Sequence, residues 1–229
     1  MRILDVEQGS LEWLEERRCK ITGTKLKRVM GTELARRDLI AELIAEKGTE
    51  QVKTIRPTAE MERGNAEEKF AIKEFEQKYG KRVDEVGICI HDEYEWIALS
   101  PDGLIKNEDG EYTEGIEIKS PDSKNSILYR MNNLLGTAKG SRSGAPFLGI
   151  PGDYKWQAIE YFIVNEKMQK LYFVVYDARF IEADKRLYVI ELERDNELLQ
   201  DAIKEATEAL EVFRQLWMDI EEKISPIDF

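Results

Sequence analysis

The chain has 229 residues, 35% of them charged and 42% hydrophobic, with a formal net charge of −12. That length fits one large domain over residues 1–229 with a sizeable core, and apolar periodicity at this charge level excludes a disordered chain. Two cysteines exclude a disulfide framework and a cysteine-based metal cluster.

In chain order, Ser10 of "QGSLEWLEERR" is placed to cap a first helix. "ITGTKLKRVMG" predicts a short helix entered through Thr22 and stopped by Gly31. "TELARRDLIAELIAEKG" predicts a longer one, with Leu34, Leu39, Ile40, Leu43 and Ile44 as its apolar stripe and Gly48 as terminator. A fourth helix runs from Pro57 to Gly80, with Met61, Phe70, Ala71 and Phe75 on its apolar face. The period then changes to two. Val83 to Ile90 and Tyr94 to Leu99 read as strands joined at His91-Asp92-Glu93. Tyr112 to Lys119 is a third strand, reached through the turn signal Asn107-Glu108-Asp109-Gly110. His91, the sole histidine, is expected to be exposed in its polar turn, which leaves no multi-histidine metal site.

A helix from about Ser126 to Leu135 precedes a basic Gly/Ser-rich loop over 136–152. "DYKWQAIEYFIVN" then predicts a helix, and "QKLYFVVYD" and "RLYVIELE" predict strands. From about Asn196 to Ile224, apolar residues from Leu199 through Phe213 to Ile220 recur at three- and four-residue spacing, the stripe of a long helix packed on a core or a subunit. Helices, three sequential strands, a helix, two strands and a helix predict an α+β (mixed α/β) fold, its sheet flanked by helices.

Charge is unevenly spread. Arg17 to Arg37 holds eight basic residues and one acid, whereas Glu191 to Phe229 holds twelve acids and four bases. A polyanion docking on the basic end is one reading of this asymmetry, and ordinary surface variation is the other. No apolar run reaches membrane-spanning length, and "MRILDVEQGS" lacks the apolar core of a signal peptide, so a cytoplasmic protein is expected.

The chemistry concentrates in "SPDGLIKNEDGEYTEGIEIKSPDS". On a strand, Glu117 and Lys119 share one face, expected to be exposed, while Ile116 and Ile118 face the core. Asp102, in the turn Ser100-Pro101-Asp102-Gly103, is expected at a strand end beside Glu117. Two converging carboxylates repel each other unless a cation sits between them. Mg²⁺ or Mn²⁺ fits, with the carbonyl of Ile118 as a neutral ligand and Lys119 beside an attacking water. A cross-strand salt bridge is the other reading of the same three residues.

"SPDGLI…GIEIKSP" resembles the active-site hairpin of the PD-(D/E)XK nucleases. The whole chain resembles the lambda-type phage exonucleases, the YqaJ-like viral recombinase family. "EQGSLEWLEERRCKITGTK", "RGNAEEKFA", "YKWQAIEYFIV" and "YFVVYDARF" each resemble one of that family's motifs. The resemblance implies a restriction-endonuclease-like core and Mg²⁺-dependent 5′→3′ digestion of one strand of duplex DNA from an end. Asp102 and Glu117 would ligate the metal, Glu68 would reach it through water, and Lys119 would serve the attacking water. Arg17, with Arg18 as its rival, would hold the 5′-phosphate, helped by Thr24, Ser100 and Gln157. A phage-encoded protein, a ring-shaped homotrimer and a single-strand annealing partner are further implications. A departure is that Gly23 precedes Thr24, and the basic loop Lys139 to Arg142 has no counterpart. The iron–sulfur relatives, which use four cysteines, are excluded. Two rival functions share the fold: a restriction-type endonuclease and a catalytically silent DNA-end-binding protein.

Overall fold

The structure is a computed structural model that describes residues 1–49, 58–135 and 147–224. Pro57 and the basic loop Lys139 to Arg142 lie outside the described residues. The elements in order are β1 (Arg2–Leu4), α1 (Leu11–Glu16), α2 (Gly23–Val29), α3 (Glu33–Gly48) and α4 (Ala59–Tyr79). There follow β2 (Ile88–Ile90), β3 (Ala98–Leu99), β4 (Gly103–Lys106), β5 (Tyr112–Lys119) and α5 (Ser123–Leu135). The last are α6 (Lys155–Val164), β6 (Lys170–Tyr176), β7 (Leu187–Glu193) and α7 (Glu197–Ile224).

Two sheets form. One is antiparallel in the order β1-β2-β3, and the other runs β4-β5-β6-β7 with β5 and β6 parallel and both outer pairs antiparallel. The β5-to-β6 connection carries α5 and α6, as a parallel pair requires. Both faces of the larger sheet are covered. Ile116 and Ile118 pack with Tyr172, Val174 and the α4 residues Ala71, Ile72 and Phe75. The opposite face, with Leu171, Phe173 and Val175, packs against α6 and the α7 stripe Leu199, Ala202, Ala206, Leu210, Phe213 and Trp217. Each large apolar side chain buried there contributes about 1.5–3 kcal/mol.

Several expectations change. The first two strands are far shorter than the alternation implied: Val83 to Gly87 joins no strand beyond a single bridge at Asp84, and pairing resumes only at Ile88. The antiparallel partner of β5 is β4, which begins after Asp102, while the strand before Ser100 belongs to the other sheet. Asp102 therefore enters the hairpin rather than ending a strand. The hairpin turns where expected: the Asn107 side-chain oxygen accepts the N–H groups of Asp109 and Glu111, and Gly110 takes φ +81°. Leu34 and Phe70 are exposed, because the buried stripes of α3 and α4 run instead through Leu39, Ile40, Leu43 and through Ala71, Ile72, Phe75. His91 is buried, not exposed; its Nδ1 accepts the N–H groups of Glu93 and Tyr94, so it holds the turn together.

The basic run is not an open cationic face. Lys25 pairs with Glu46 at 3.1 Å, and Arg28 pairs with Asp38 at 2.7 Å and Glu42 at 2.8 Å. Arg36 donates to the Val29 carbonyl, and Arg18 to the carbonyls of Glu46 and Thr49. Acids of α3 neutralise much of the charge, and Arg17 stands apart from them.

Candidate active site

Asp102 sits one residue before β4, and its Oδ2 accepts the Ile118 N–H at 2.6 Å. That bond pins the carboxylate against the middle of the 117–119 segment. Glu117 is fully buried: its side chain leaves β5 on the α6 face, not onto an open surface. Its Oε1 ion-pairs with the Lys119 ammonium. Its Oε2 lies 2.8 Å from the Tyr161 hydroxyl, which also lies 2.9 Å from the Ile116 carbonyl and accepts the Asp102 N–H at 3.2 Å. One phenol thus ties together both carboxylate-bearing segments. Gly115 makes room for it, since a Cβ there would stand 2.9 Å from the Tyr161 ring.

Glu68, on α4, lines the same cavity of about 600 Å³ as Asp102, Ile118, Lys119, Arg63 and Tyr154. Its neighbour Glu67 is nearly buried and lies 3.9 Å from Arg63. Burial first, then Glu117 and Glu68, hold the Asp102 carboxyl well above the usual range against the pull of Lys119. Burial, with Glu85 and Glu117, also raises Glu68. Burial alone would lower Lys119, but Glu117 and Asp102 outweigh it and hold the ammonium charged. Three acids against one lysine, only Glu117 among them fully buried, leave surplus negative charge, which a cation relieves.

The donor set fits a hard divalent ion. Asp102 keeps Oδ1 beyond the bond to Ile118, and Glu117 turns Oε1 toward Lys119. Among the described residues no three acids, histidines or cysteines stand close enough to enclose an ion by themselves. Asp102, Glu117 and the Ile118 carbonyl are the oxygens that could be offered to such an ion. That is how Mg²⁺ is commonly held, with water and phosphate oxygens completing the octahedron.

A second cluster lies two residues upstream of Asp102. The Arg17 guanidinium stacks 4.3 Å from the centre of the Trp13 ring. It donates to Ser100 Oγ at 2.7 Å and to Thr22 Oγ1 at 3.2 Å, while Trp13 Nε1 donates to the same Ser100 oxygen at 3.0 Å. Burial lowers its pKa, and Glu160 acts in the opposite sense. Arg18 instead donates to the backbone carbonyls of Glu46 and Thr49. Thr24 is exposed, and the threonine in contact with Arg17 is Thr22. Gln157 packs against Gly23, where a Cβ would meet its Cγ at 3.1 Å. Asp102, Glu117, Ile118, Lys119 and Glu68 therefore gather at one place, Arg17 and Ser100 at the next, and α6 runs beside both. Sequence reasoning missed Tyr161, Thr22 and the part played by Trp13. Tyr161 had a signal: four residues after Gln157, it lies on the same helical face.

The model of one protein family, the YqaJ-like viral recombinase domain, matches residues 12–168. The chain belongs to this family. The matched span of the YqaJ-like domain runs from just before Trp13 to just beyond Tyr161 and so contains both clusters, while β6, β7 and α7 lie outside it. Among solved structures, the alkaline exonuclease LHK-Exo from Laribacter hongkongensis is 26% identical, with a TM-score of 0.68 over 93% of this chain and 97% of that one. LHK-Exo in complex with dAMP gives 26% identity and a TM-score of 0.69 over the same shares. A phage-related exonuclease from Haemophilus somnus 129PT is 19% identical, with a TM-score of 0.56 over 88% of this chain and 96% of that one, a likeness of fold. A search of curated proteins finds no match. The YqaJ-like domain has the mixed α+β architecture of the PD-(D/E)XK nucleases.

Proposed function

We propose that the protein is a Mg²⁺-dependent exonuclease, Mn²⁺ substituting, that digests one strand of duplex DNA 5′→3′ from an end. It would release 5′-mononucleotides and leave 3′ single-stranded tails for strand annealing. One observation carries this reading: a pocket holding Asp102, Glu68 and Lys119 beside the buried Glu117 starts two residues along the backbone from Ser100, which accepts a hydrogen bond from the Arg17 guanidinium, whose hydrogen bonds go to neutral hydroxyls. The first suits a cation, the second a terminal phosphate.

In this reading Asp102, Glu117 and the Ile118 carbonyl hold the ion, and Glu68 reaches it through water. A divalent ion there supplies Lewis acidity toward the phosphoryl oxygens and acidifies water. Lys119, fixed by Glu117 and lying 5.2 Å over the Tyr154 ring, orients the attacking water and offsets charge on the transition state. Tyr161 fixes Glu117 from behind. Arg17, Ser100 and Gln157 receive the 5′-phosphate, a planar fork being suited to phosphate oxygens; Thr24 is left to a direct test against Thr22. The dAMP bound to LHK-Exo has the size of the proposed product. Duplex DNA ends as substrate, a ring-shaped homotrimer and an annealing partner complete the proposal. Among the described residues no helix is long and apolar enough to cross a membrane.

Linear duplex labelled at either end, with and without Mg²⁺, tests it. The expected result is early release of the 5′ label as mononucleotide, only with Mg²⁺, while closed circular duplex stays intact. Cut circles point instead to a restriction-type endonuclease. No release with Mg²⁺ points to a silent end-binding protein.

A further inference from the structure

The cavity lined by Asp102, Glu68 and Lys119 has a second cation in its wall, Arg63 of α4. Its Nη2 donates to the carbonyl of Ser120, the residue after Lys119, at 2.9 Å. Among the described residues that is its one hydrogen bond. Nε is buried with no partner, and Glu67 Oε1 stands 3.9 Å from it, beyond hydrogen-bond length. A guanidinium carries five N–H groups, so contacts within the chain leave this one under-satisfied. The Lys119 ammonium, by contrast, is ion-paired with Glu117. Gly64 is a separate sign. It lines the same cavity from the interior of α4, where glycine weakens a helix. A Cβ there would meet nothing within 4 Å, so packing inside the chain does not ask for glycine. Close approach of a ligand's backbone is a use that glycine serves.

We propose that Arg63 and the bare backbone at Gly64 form a second phosphate subsite, which grips an internal phosphodiester of the strand being digested. The proposal rests on the reading of this pocket as a nuclease site. A phosphodiester is anionic and offers only acceptors, which matches a guanidinium with donors to spare. The Ser120 carbonyl fixes the guanidinium beside Lys119, and the missing side chain at Gly64 lets the strand lie close to α4. The two arginines then read different groups: Arg17 the terminal phosphate, Arg63 a phosphate within the chain. Two grips on one strand set its register at the carboxylates, where a single terminal grip leaves it free to pivot.

The test uses the full chain carrying Lys119→Ala, so that no turnover intervenes, and reads binding of 5′-phosphorylated duplexes by fluorescence anisotropy. Each internal phosphate near the 5′ end is replaced in turn by an uncharged methylphosphonate. In this parent the replacement at the gripped position should weaken binding about tenfold, the size of a hydrogen bond to a charged group. Adding Arg63→Gln should weaken binding of the unmodified duplex by a similar factor and lower the slope of log affinity against log salt by about one. It should also erase the methylphosphonate penalty at that one position, which a role in packing alone does not predict. Should Arg63→Gln fail to fold, Arg63→Lys keeps the charge, loses the fork and should erase part of the penalty. Gly64→Ala should raise the Tm by about 2 °C, as alanine does in a helix interior, yet weaken binding several-fold. A penalty that survives the folded Arg63 variant, or a parent that binds ends but is indifferent to every methylphosphonate, overturns the proposal alone. Unchanged binding by Gly64→Ala overturns the close approach to α4. A parent that binds no duplex end overturns the proposal together with the nuclease reading.

Discussion

Along α6 the protein buries charge twice, in opposite senses. Near Tyr161, Asp102, Glu117 and Glu68 face a single lysine, and the balance is negative. Near Gln157, Arg17 is ringed by hydroxyls and an indole, and the balance is positive. Neither cluster completes itself, and what each lacks is the charge that its own proposed ligand carries. The difference teaches that such clusters are tuned for a third party rather than for fold stability, since a self-satisfied ion pair would leave nothing for a cation or a phosphate to relieve.

The comparison breaks most sharply at the negative end. Lys119→Ala should lower the rate of nucleotide release about 10²–10³-fold or more, while the protein still binds ends, measured by single-turnover kinetics beside anisotropy. Normal release would mean that Lys119 only balances Glu117. At the positive end, Arg17→Ala should reduce the preference for 5′-phosphorylated over 5′-hydroxyl ends about tenfold or more, read as a ratio of initial rates. An unchanged ratio removes Arg17 from the phosphate.

Stability offers a smaller and independent readout. Asp102→Asn should abolish activity yet raise the Tm of the metal-free protein by a few degrees, because it removes one buried repelling charge. The pH dependence has a definite sign. Folded Asp102 titrates above its unfolded value of about 3.9, so its contribution is fully present below that value and is lost as pH rises through the folded value. The gap in Tm between Asp102→Asn and wild type, in chelator, should therefore be near zero in acid and widen as pH rises. Saturating Mg²⁺ should close it by stabilising the wild type. The smallest effect separates two threonines: Thr22→Val should weaken phosphate preference a few-fold, the size of one hydrogen bond to a charged group, and Thr24→Val should leave it unchanged.

Much of this was legible beforehand. The helix cap at Ser10, the β5 strand and the long α7 stripe follow from local rules of capping and periodicity, which act within a few residues. The grouping of Glu117 with Lys119 follows from strand alternation alone. Three things were not legible. β4 was hidden because Gly103 to Lys106 is only four residues long and follows a proline turn. The exposure assigned to the Glu117 face was wrong because alternation says which residues share a face, not whether a helix covers it. Whether the run from Arg17 to Arg37 forms a cationic face was left open because its neutralising acids, on α3 and at Asp153, meet it only once the helices pack.

By itself, then, the sequence determined the helices and the acid–lysine strand, because those depend on short-range spacing, and its motifs carried the resemblance to the family. Only the tertiary structure decided that Tyr161 grips Glu117 and Asp102 together, that Arg17 meets Ser100 and Thr22 while Arg18 meets backbone carbonyls, and that Glu160 is buried. Those outcomes rest on contacts across 44, 59 and 83 residues of chain. They rest also on the loss of water around the charges, which no local pattern of residues encodes.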